Sequence, residues 1–170
     1  FYTVDEELQM LDSYLYIMRI RYADGFEVRY DVAEDCRSCR LPRLTLQPIV
    51  ENALDHGFAD MGDELGQLVI QAARQGDFLC LEVEDNGCGM TPEQVDAVLR
   101  GRPLGADTGH GIGLKNVLAR LRLHFGGESN LLIESVPGQG TRITIRLPWQ
   151  AVAPQTTKEE LSHDPNPDCR

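Results

Sequence analysis

Leu8, Leu11, Leu15, Met18 and Tyr22 recur at steps of three and four near the start of the chain. Such steps set one apolar stripe along one face of a helix. Thr3 and Glu6 have capping-box spacing, so a helix is predicted over residues 3–22, and Asp24-Gly25 ends it as a turn. The stripe suits either a partner helix, because its steps are heptad-like, or the body of its own domain. From Phe26 the period drops to two: Phe26, Val28, Tyr30 and Val32 alternate with Glu27, Arg29 and Asp31, as in a half-buried strand. Thr45 can cap a helix running to about Phe58, with Pro48 tolerated in its first turn. Residues 67–74 and 78–84 are strand-like and meet at the turn Gln75-Gly76-Asp77. Thr91 and Pro92 open a short helix that stops at Gly101. Residues 101–111 carry Gly101, Gly105, Gly109 and Gly111 with few apolar anchors, the pattern of a mobile loop. A helix is predicted from Ile112 to about Phe125, ended by Gly126-Gly127. Residues 131–136 and 141–147 then form a hairpin around Pro137-Gly138-Gln139-Gly140.

Helices that lie between strand pairs joined by tight turns predict an α+β fold. The architecture is a two-layer sandwich, a mixed β-sheet covered on one face by helices. The tail, residues 150–170, is polar and proline-containing and is expected to be disordered.

Composition narrows the function classes. The chain has 170 residues, with 16 Lys+Arg against 27 Asp+Glu and a net charge of −11. That balance argues against a nucleic-acid-coating role, which needs clustered cations. It allows one small anionic ligand at a local site. No run approaches the roughly 20 apolar residues of a membrane span, and the start does not read as a signal peptide. Phe1 rather than Met begins the chain, so a piece of a longer protein is expected. The five cysteines (Cys36, Cys39, Cys80, Cys88 and Cys169) are an odd set without even spacing, unlike a secreted disulfide framework. Cys36-x-x-Cys39 lacks a second ligand pair for a metal, and reduced thiols are expected.

Four stretches carry candidate chemistry. On the predicted helix 45–58, Leu46, Ile49, Val50, Ala53 and Leu54 form an apolar face, and Pro48, Glu51, Asn52, Asp55 and His56 share the other side. That row is either an ordinary polar face or a set of oxygen and nitrogen ligands. In the second case Asn52 would offer a neutral oxygen to a hard cation and Glu51 would serve as a general base. Asp85-Asn86-Gly87-Cys88-Gly89-Met90 follows an apolar strand. It is either a tight turn or a carboxylate beside open backbone, able to accept from an amino group and to admit a flat ring where Cβ atoms are missing. Gly109-His110-Gly111-Ile112-Gly113-Leu114 opens a helix, whose unpaired N–H groups and dipole favour phosphate. Its spacing is not that of a Walker A loop. Gly138-Gln139-Gly140-Thr141 serves the hairpin, and Thr141 could offer a hydroxyl to a ligand.

The ordered set is more specific than its parts. Glu51-Asn52-Ala53-x-x-His56-Gly57, Asp85-x-Gly87-x-Gly89-Met90, Gly109-x-Gly111-Ile112-Gly113-Leu114-x-Asn116 and Gly138-x-Gly140-Thr141 resemble the N, G1 and G2 boxes and closing strand of the GHKL ATPase superfamily. That superfamily includes histidine kinases, gyrase-type topoisomerases, Hsp90 and MutL. Leu44 to Ala53, Gly113 to Gly126 and the helix from Glu6 to Tyr22 look like the corresponding stretches of LytS-type sensor histidine kinases.

The resemblance implies ATP and Mg²⁺ as cofactors. Asn52 would ligand the Mg²⁺, and Asp85 would bind the adenine amine with Gly87, Gly89 and Thr141 around the ring. Gly109, Gly111 and Gly113 would hold phosphates, residues 101–111 would form a lid, and Glu51 would be the catalytic base. Asp55, His56, Met90, His110, Ile112 and Leu114 complete the candidate nucleotide-contacting set. Relatives often carry Lys or Arg at the place of Asp55, where an acidic group would repel phosphate unless it faces the metal. The resemblance further implies transfer of the γ-phosphate to a histidine and on to a response regulator. None of His56, His110, His124 and His163 stands in an acceptor motif, so that histidine is expected upstream. Residues 1–23 would lead in from an upstream dimerisation and acceptor region, 24–149 would be the ATP-binding domain and 150–170 the tail. A homodimer through upstream helices, a cytoplasmic location and membrane anchoring only through upstream segments are expected. The alternative is a GHKL nucleotide-binding module that hydrolyses ATP or does no catalysis.

Overall fold

The computed structural model describes residues 1–58, 61–62, 64–100, 102 and 112–150, with Ile112 described by its backbone alone. The predicted loop 101–111, apart from Arg102, and the predicted tail 150–170, apart from Gln150, lie outside the described residues. In chain order the elements are β1 (Tyr2–Thr3), α1 (Val4–Arg21), β2 (Phe26–Val32), a 3₁₀ turn (Glu34–Cys36), β3 (Arg40–Leu41) and α2 (Gln47–Asn52). A π-helical turn (Ala53–Gly57) continues α2. Then come β4 (Gly66–Gln75), β5 (Phe78–Asp85), α3 (Pro92–Leu99), α4 (Ile112–Phe125), a second 3₁₀ turn (Gly126–Glu128), β6 (Asn130–Val136) and β7 (Gly140–Pro148).

Strand alternation decides which side chains meet the helices. Five strands form one mixed sheet in the order β2-β4-β5-β7-β6. The β2–β4 pair is parallel and the others are antiparallel. Leu68, Ile70 and Ala72 of β4, Leu79, Leu81 and Val83 of β5, and Ile143, Ile145 and Leu147 of β7 all point inward and are buried. The opposite parity carries Gln71, Cys80, Glu82, Thr144 and Arg146, which line a groove of about 410 Å³ on the uncovered face. No candidate site residue lines that groove. Among the described residues no helix is long and apolar enough to cross a membrane.

The α1 stripe packs on its own chain. Val4, Leu8, Leu11 and Leu15 are buried in one core with the sheet and with Ile49, Val50 and Leu54 of the α2–π segment. Thr3 and Glu6 close the expected capping box, and Thr91 and Gln94 make a second one at α3. α4 contributes Leu114, Val117, Leu118, Leu121 and Phe125. Cys36 and Cys39 are fully buried free thiols. Burial pushes the Cys36 thiol up to about 11, which keeps it protonated at neutral pH.

Thr45 does not cap the N-box helix, which is α2 with the π turn that continues it. Leu46 holds the cap position without a side-chain bond, and the Thr45 hydroxyl donates to the Pro42 carbonyl at 2.5 Å. The approach to the helix is instead fixed from another element. Glu7 of α1, itself buried, accepts from the backbone N–H groups of Leu44, Thr45 and Leu46. The first N–H groups of a helix have no intrahelical acceptors, and a carboxylate there also meets the positive end of the helix dipole.

Candidate functional site

β5 ends on Asp85, which keeps the inward parity of Leu79, Leu81 and Val83. The strand therefore carries a carboxylate into the space between the layers, where it is 7% exposed. It accepts from the Gly87 N–H at 2.9 Å and from the backbone of Thr141, its register partner on β7. Burial is the larger influence and raises its pKa from 3.8 to about 6, against those two hydrogen bonds. A carboxylate has about four acceptor positions, so capacity remains for another donor.

The glycines around Asp85 are explained by backbone approaching backbone. A Cβ on Gly87 would lie 2.3 Å from the Gly57 carbonyl oxygen, and one on Gly89 would lie 2.1 Å from that of Val136. A Cβ on Gly140 would lie 1.9 Å from the Asp85 carbonyl oxygen, and φ there is +103°. Protein main chain fills the space the missing Cβ atoms leave at Gly87 and Gly89. These two glycines shape the turn that presents Asp85, the tight turn that the sequence offered as one alternative. Cys88 N–H donates to the Gly57 carbonyl at 2.8 Å, so the end of the π turn is fastened to the Asp85 loop.

Ser135 was not singled out from sequence, yet it ties the same corner together. Its hydroxyl accepts from the Met90 N–H at 2.7 Å and donates to the Gly140 carbonyl at 3.0 Å. It also lies 2.9 Å from the hydroxyl of buried Thr141. Only its alternation with Leu131 and Ile133 on β6 could have marked it as inward-facing. Met90 is half-buried beside this network.

The other part of the site is a pocket of about 120 Å³ lined by Pro48, Glu51, Asn52, Asp55, His56, Gly113 and Leu114. The fold thus brings the polar row of the N-box helix against the start of α4. Gly113 permits this approach: a Cβ there would lie 3.2 Å from the Pro48 side chain. The volume suits phosphate groups and an ion rather than a whole nucleotide, because small-molecule pockets run about 300–1,000 Å³. Gln47 donates to Glu51 at 2.8 Å and fixes that carboxylate. The π turn begins directly after Asn52 and carries Asp55 and His56, and such turns are frequent at functional sites. Asp55 is tied to α1, accepting from the Tyr22 hydroxyl at 2.8 Å with Arg21 3.6 Å away. Leu114 is a buried core residue as well as a pocket wall. Gly109, His110, Gly111 and the Ile112 side chain lie outside the described residues.

Among the described residues no three His, Cys, Asp or Glu side chains converge as a metal cage. A Mg²⁺ held by one or two protein oxygens together with substrate phosphates fits the Asn52 row; a preformed protein site does not.

The sensor histidine kinase BtsS of Escherichia coli (strain K12) is 35% identical over 150 residues, 88% of this chain and 24% of that protein. The sensor protein LytS of Staphylococcus saprophyticus is 31% identical over 161 residues, 95% of this chain and 26% of that protein. The chain thus spans about a quarter of the length of the curated relatives it matches. The mycobacterial sensor histidine kinase MprB shares the fold at a TM-score of 0.58 and 18% identity, covering 85% of this chain and 95% of that one. Residues 40–151, which hold the Asn52 helix, the Asp85 turn and the start of α4, match the histidine kinase-, DNA gyrase B- and HSP90-like ATPases, and the chain belongs to that family.

Proposed function

We propose that the chain is the ATP-binding catalytic domain of a LytS-type sensor histidine kinase. The observation that carries this reading is a junction. Through Gly57 the N-box helix reaches the buried Asp85 carboxylate, and through Pro48 it reaches Gly113 at the start of α4. One continuous wall thereby offers an acceptor for an amine at one end and a polar pocket at the other.

Asp85 accepts from the adenine amine, and Thr141 and Met90 flank it. Asn52 holds Mg²⁺, and the N–H groups at the start of α4, with Gly109, Gly111 and Gly113, hold phosphates. His56 and Leu114 line the same nucleotide site, and His110 and Ile112 are assigned to it by their place in the glycine-rich stretch. Mg²⁺ when bound neutralises phosphate charge and aligns the γ-phosphate. Glu51, oriented by Gln47, is the base toward the incoming histidine. Catalysis by these groups is positioning and charge stabilisation. The acceptor histidine lies upstream of residues 1–23, the ATP-binding unit is 24–149, and the phosphate passes to a response regulator. The full-length protein is a homodimer through upstream helices, is membrane-anchored by upstream segments and works with this domain in the cytoplasm.

Calorimetric titration with ATP in the presence of Mg²⁺ tests the reading. One ATP site is expected on this chain, with no acid-labile phosphate formed on it. A longer protein that includes the upstream region is expected to form phosphohistidine. Absence of ATP binding would refute the reading. Binding without phosphohistidine in the longer protein would leave a non-catalytic or ATP-hydrolysing module.

A further inference from the structure

α1 precedes residues 40–151, the stretch matched by the family, yet it grips the N-box helix at both ends. At the entry, Glu7 accepts from Leu44, from Thr45 at 3.0 Å and from Leu46 at 3.2 Å. Leu44 is held there at φ +57°, a left-handed conformation uncommon for a residue with a side chain. Its carbonyl accepts from Arg120 of α4 at 2.6 Å. One peptide link therefore joins α1, the N-box helix and the helix that starts at the phosphate side of the pocket. At the exit, the Tyr22 hydroxyl donates to Asp55, a pocket-lining residue. Between the two ends, Leu8, Leu11 and Leu15 share a core with Ile49, Val50 and Leu54.

Packing alone accounts for the leucines but not for the polar ends. A phenylalanine at position 22 would fill the same space without the hydroxyl that reaches Asp55. Burial and the hydrogen bond to Asp55 raise the Tyr22 pKa, so at neutral pH the hydroxyl keeps the proton that it donates.

We propose that Glu7 and Tyr22 are positioning residues of the nucleotide site, so that α1 sets the placement of Glu51, Asn52 and Asp55 and a displacement of α1 is read as a change in ATP affinity. This rests on the nucleotide-binding reading above.

The test measures Mg-ATP and adenosine affinities by calorimetry, with melting temperature in parallel, on the full 170-residue chain. The proteins are wild type, Tyr22→Phe, Glu7→Gln, Asp55→Ala and the double variant Tyr22→Phe/Asp55→Ala. Tyr22→Phe and Glu7→Gln are each expected to weaken Mg-ATP by about threefold to tenfold, what one ordinary hydrogen bond is worth. Adenosine, which lacks the phosphates proposed to meet Asn52 and the start of α4, is expected to lose less than about twofold. The Tyr22→Phe effect is expected to vanish in the Asp55→Ala background, which lacks the acceptor. Variants with lowered melting temperature but wild-type Mg-ATP affinity would show that α1 is only a structural support and overturn the proposal. Equal losses for adenosine and Mg-ATP would overturn it too, because general loosening of the fold would then be the cause. A wild-type chain that binds no ATP would sink the nucleotide reading itself, and this proposal with it.

Discussion

Asp85→Asn separates what the carboxyl costs the fold from what it gives the ligand. Burial lifts its pKa from 3.8 to about 6 in the folded chain. The folded state therefore holds the proton more tightly than the unfolded one. The stability this contributes is full below about pH 4 and is lost as pH rises through about 6. The gap corresponds to roughly 3 kcal/mol at about 1.36 kcal/mol per pH unit. Part of that swing falls near the isoelectric point of about 4.7, where solubility is poorest. Between pH 5 and pH 8 the linkage relation leaves about 1.4 kcal/mol. An amide does not titrate. The unfolding free energy of the variant minus that of wild type is expected to rise by about that amount from pH 5 to pH 8, read by urea titration at each pH. All other carboxyls titrate in both proteins and cancel in the difference. Meanwhile the variant is expected to lose ATP affinity, because an amide that presents its NH₂ to the adenine amine leaves two donors facing each other, at about 1–3 kcal/mol. Wild-type ATP affinity is expected to fall as pH drops below about 6, because the ionised carboxylate is the stronger acceptor for the adenine amine. A stability difference equal at pH 5 and pH 8 would refute the buried, titrating carboxyl. Unchanged ATP affinity in Asp85→Asn would remove Asp85 from the site.

Gly140→Ala is expected to destabilise the chain by about 3 kcal/mol or more, because the new Cβ meets the Asp85 carbonyl at 1.9 Å; the urea midpoint reads this directly. Ser135→Ala strips the partner from the Met90 N–H and is expected to cost about 1–3 kcal/mol, with a matching drop in melting temperature. Leu11→Ala, at a site 1% exposed on α1, is expected to cost about 2–5 kcal/mol by urea denaturation, and a surface-like change below about 0.5 kcal/mol would contradict the packing of α1 on this core. Asp55→Lys is expected to weaken Mg-ATP in calorimetry, since it sets a second cation beside Arg21 and removes the acceptor of Tyr22; tighter binding would show that phosphate repulsion dominates there.

Periodicity and turn signals made the elements legible. α1 and β2 lie where steps of three to four and of two placed them, and β4, β5, α3, α4, β6 and β7 lie where strand-like runs, the Thr91 cap and the glycine turns placed them, within a residue or two at most ends. What the sequence hid was long-range. Thr45 satisfies every local requirement of a cap, but Glu7, 38 residues earlier, holds its N–H, and no local pattern records a partner that distant. The two-residue pair β1–β3 and the turn at Glu34–Cys36 are too short to show a period. The π turn at Ala53–Gly57 is invisible for another reason: its residues continue the apolar face of α2 without a break. Candidate chemistry was legible as residue type, with its cause left open between a tight turn and open backbone. Gly87 and Gly89 stand where a nucleotide site needs them, but what excludes a side chain there is the main chain of Gly57 and Val136.

Asp55 shows why a site's charge balance has to be read in three dimensions. From sequence, an acidic group on the face of Asn52 counts against phosphate, at about 1 kcal/mol in water and about 4 kcal/mol near a protein surface for charges ~4 Å apart. In the fold that charge is already engaged, by a hydroxyl at 2.8 Å and a guanidinium at 3.6 Å, both from the last turn of α1 or just beyond it. Arg21 and Asp55 together present no net charge toward the pocket. The exposed Arg21 pair is weak by itself, so the directional tie is the Tyr22 hydroxyl. A lysine or arginine at this position would serve phosphate directly but could not accept from Tyr22. The acidic residue therefore exchanges a direct phosphate contact for a connection between the nucleotide helix and α1. In the proposed site its effect on ATP would depend on whether α1 is in place, a property that no inspection of the pocket residues alone can supply.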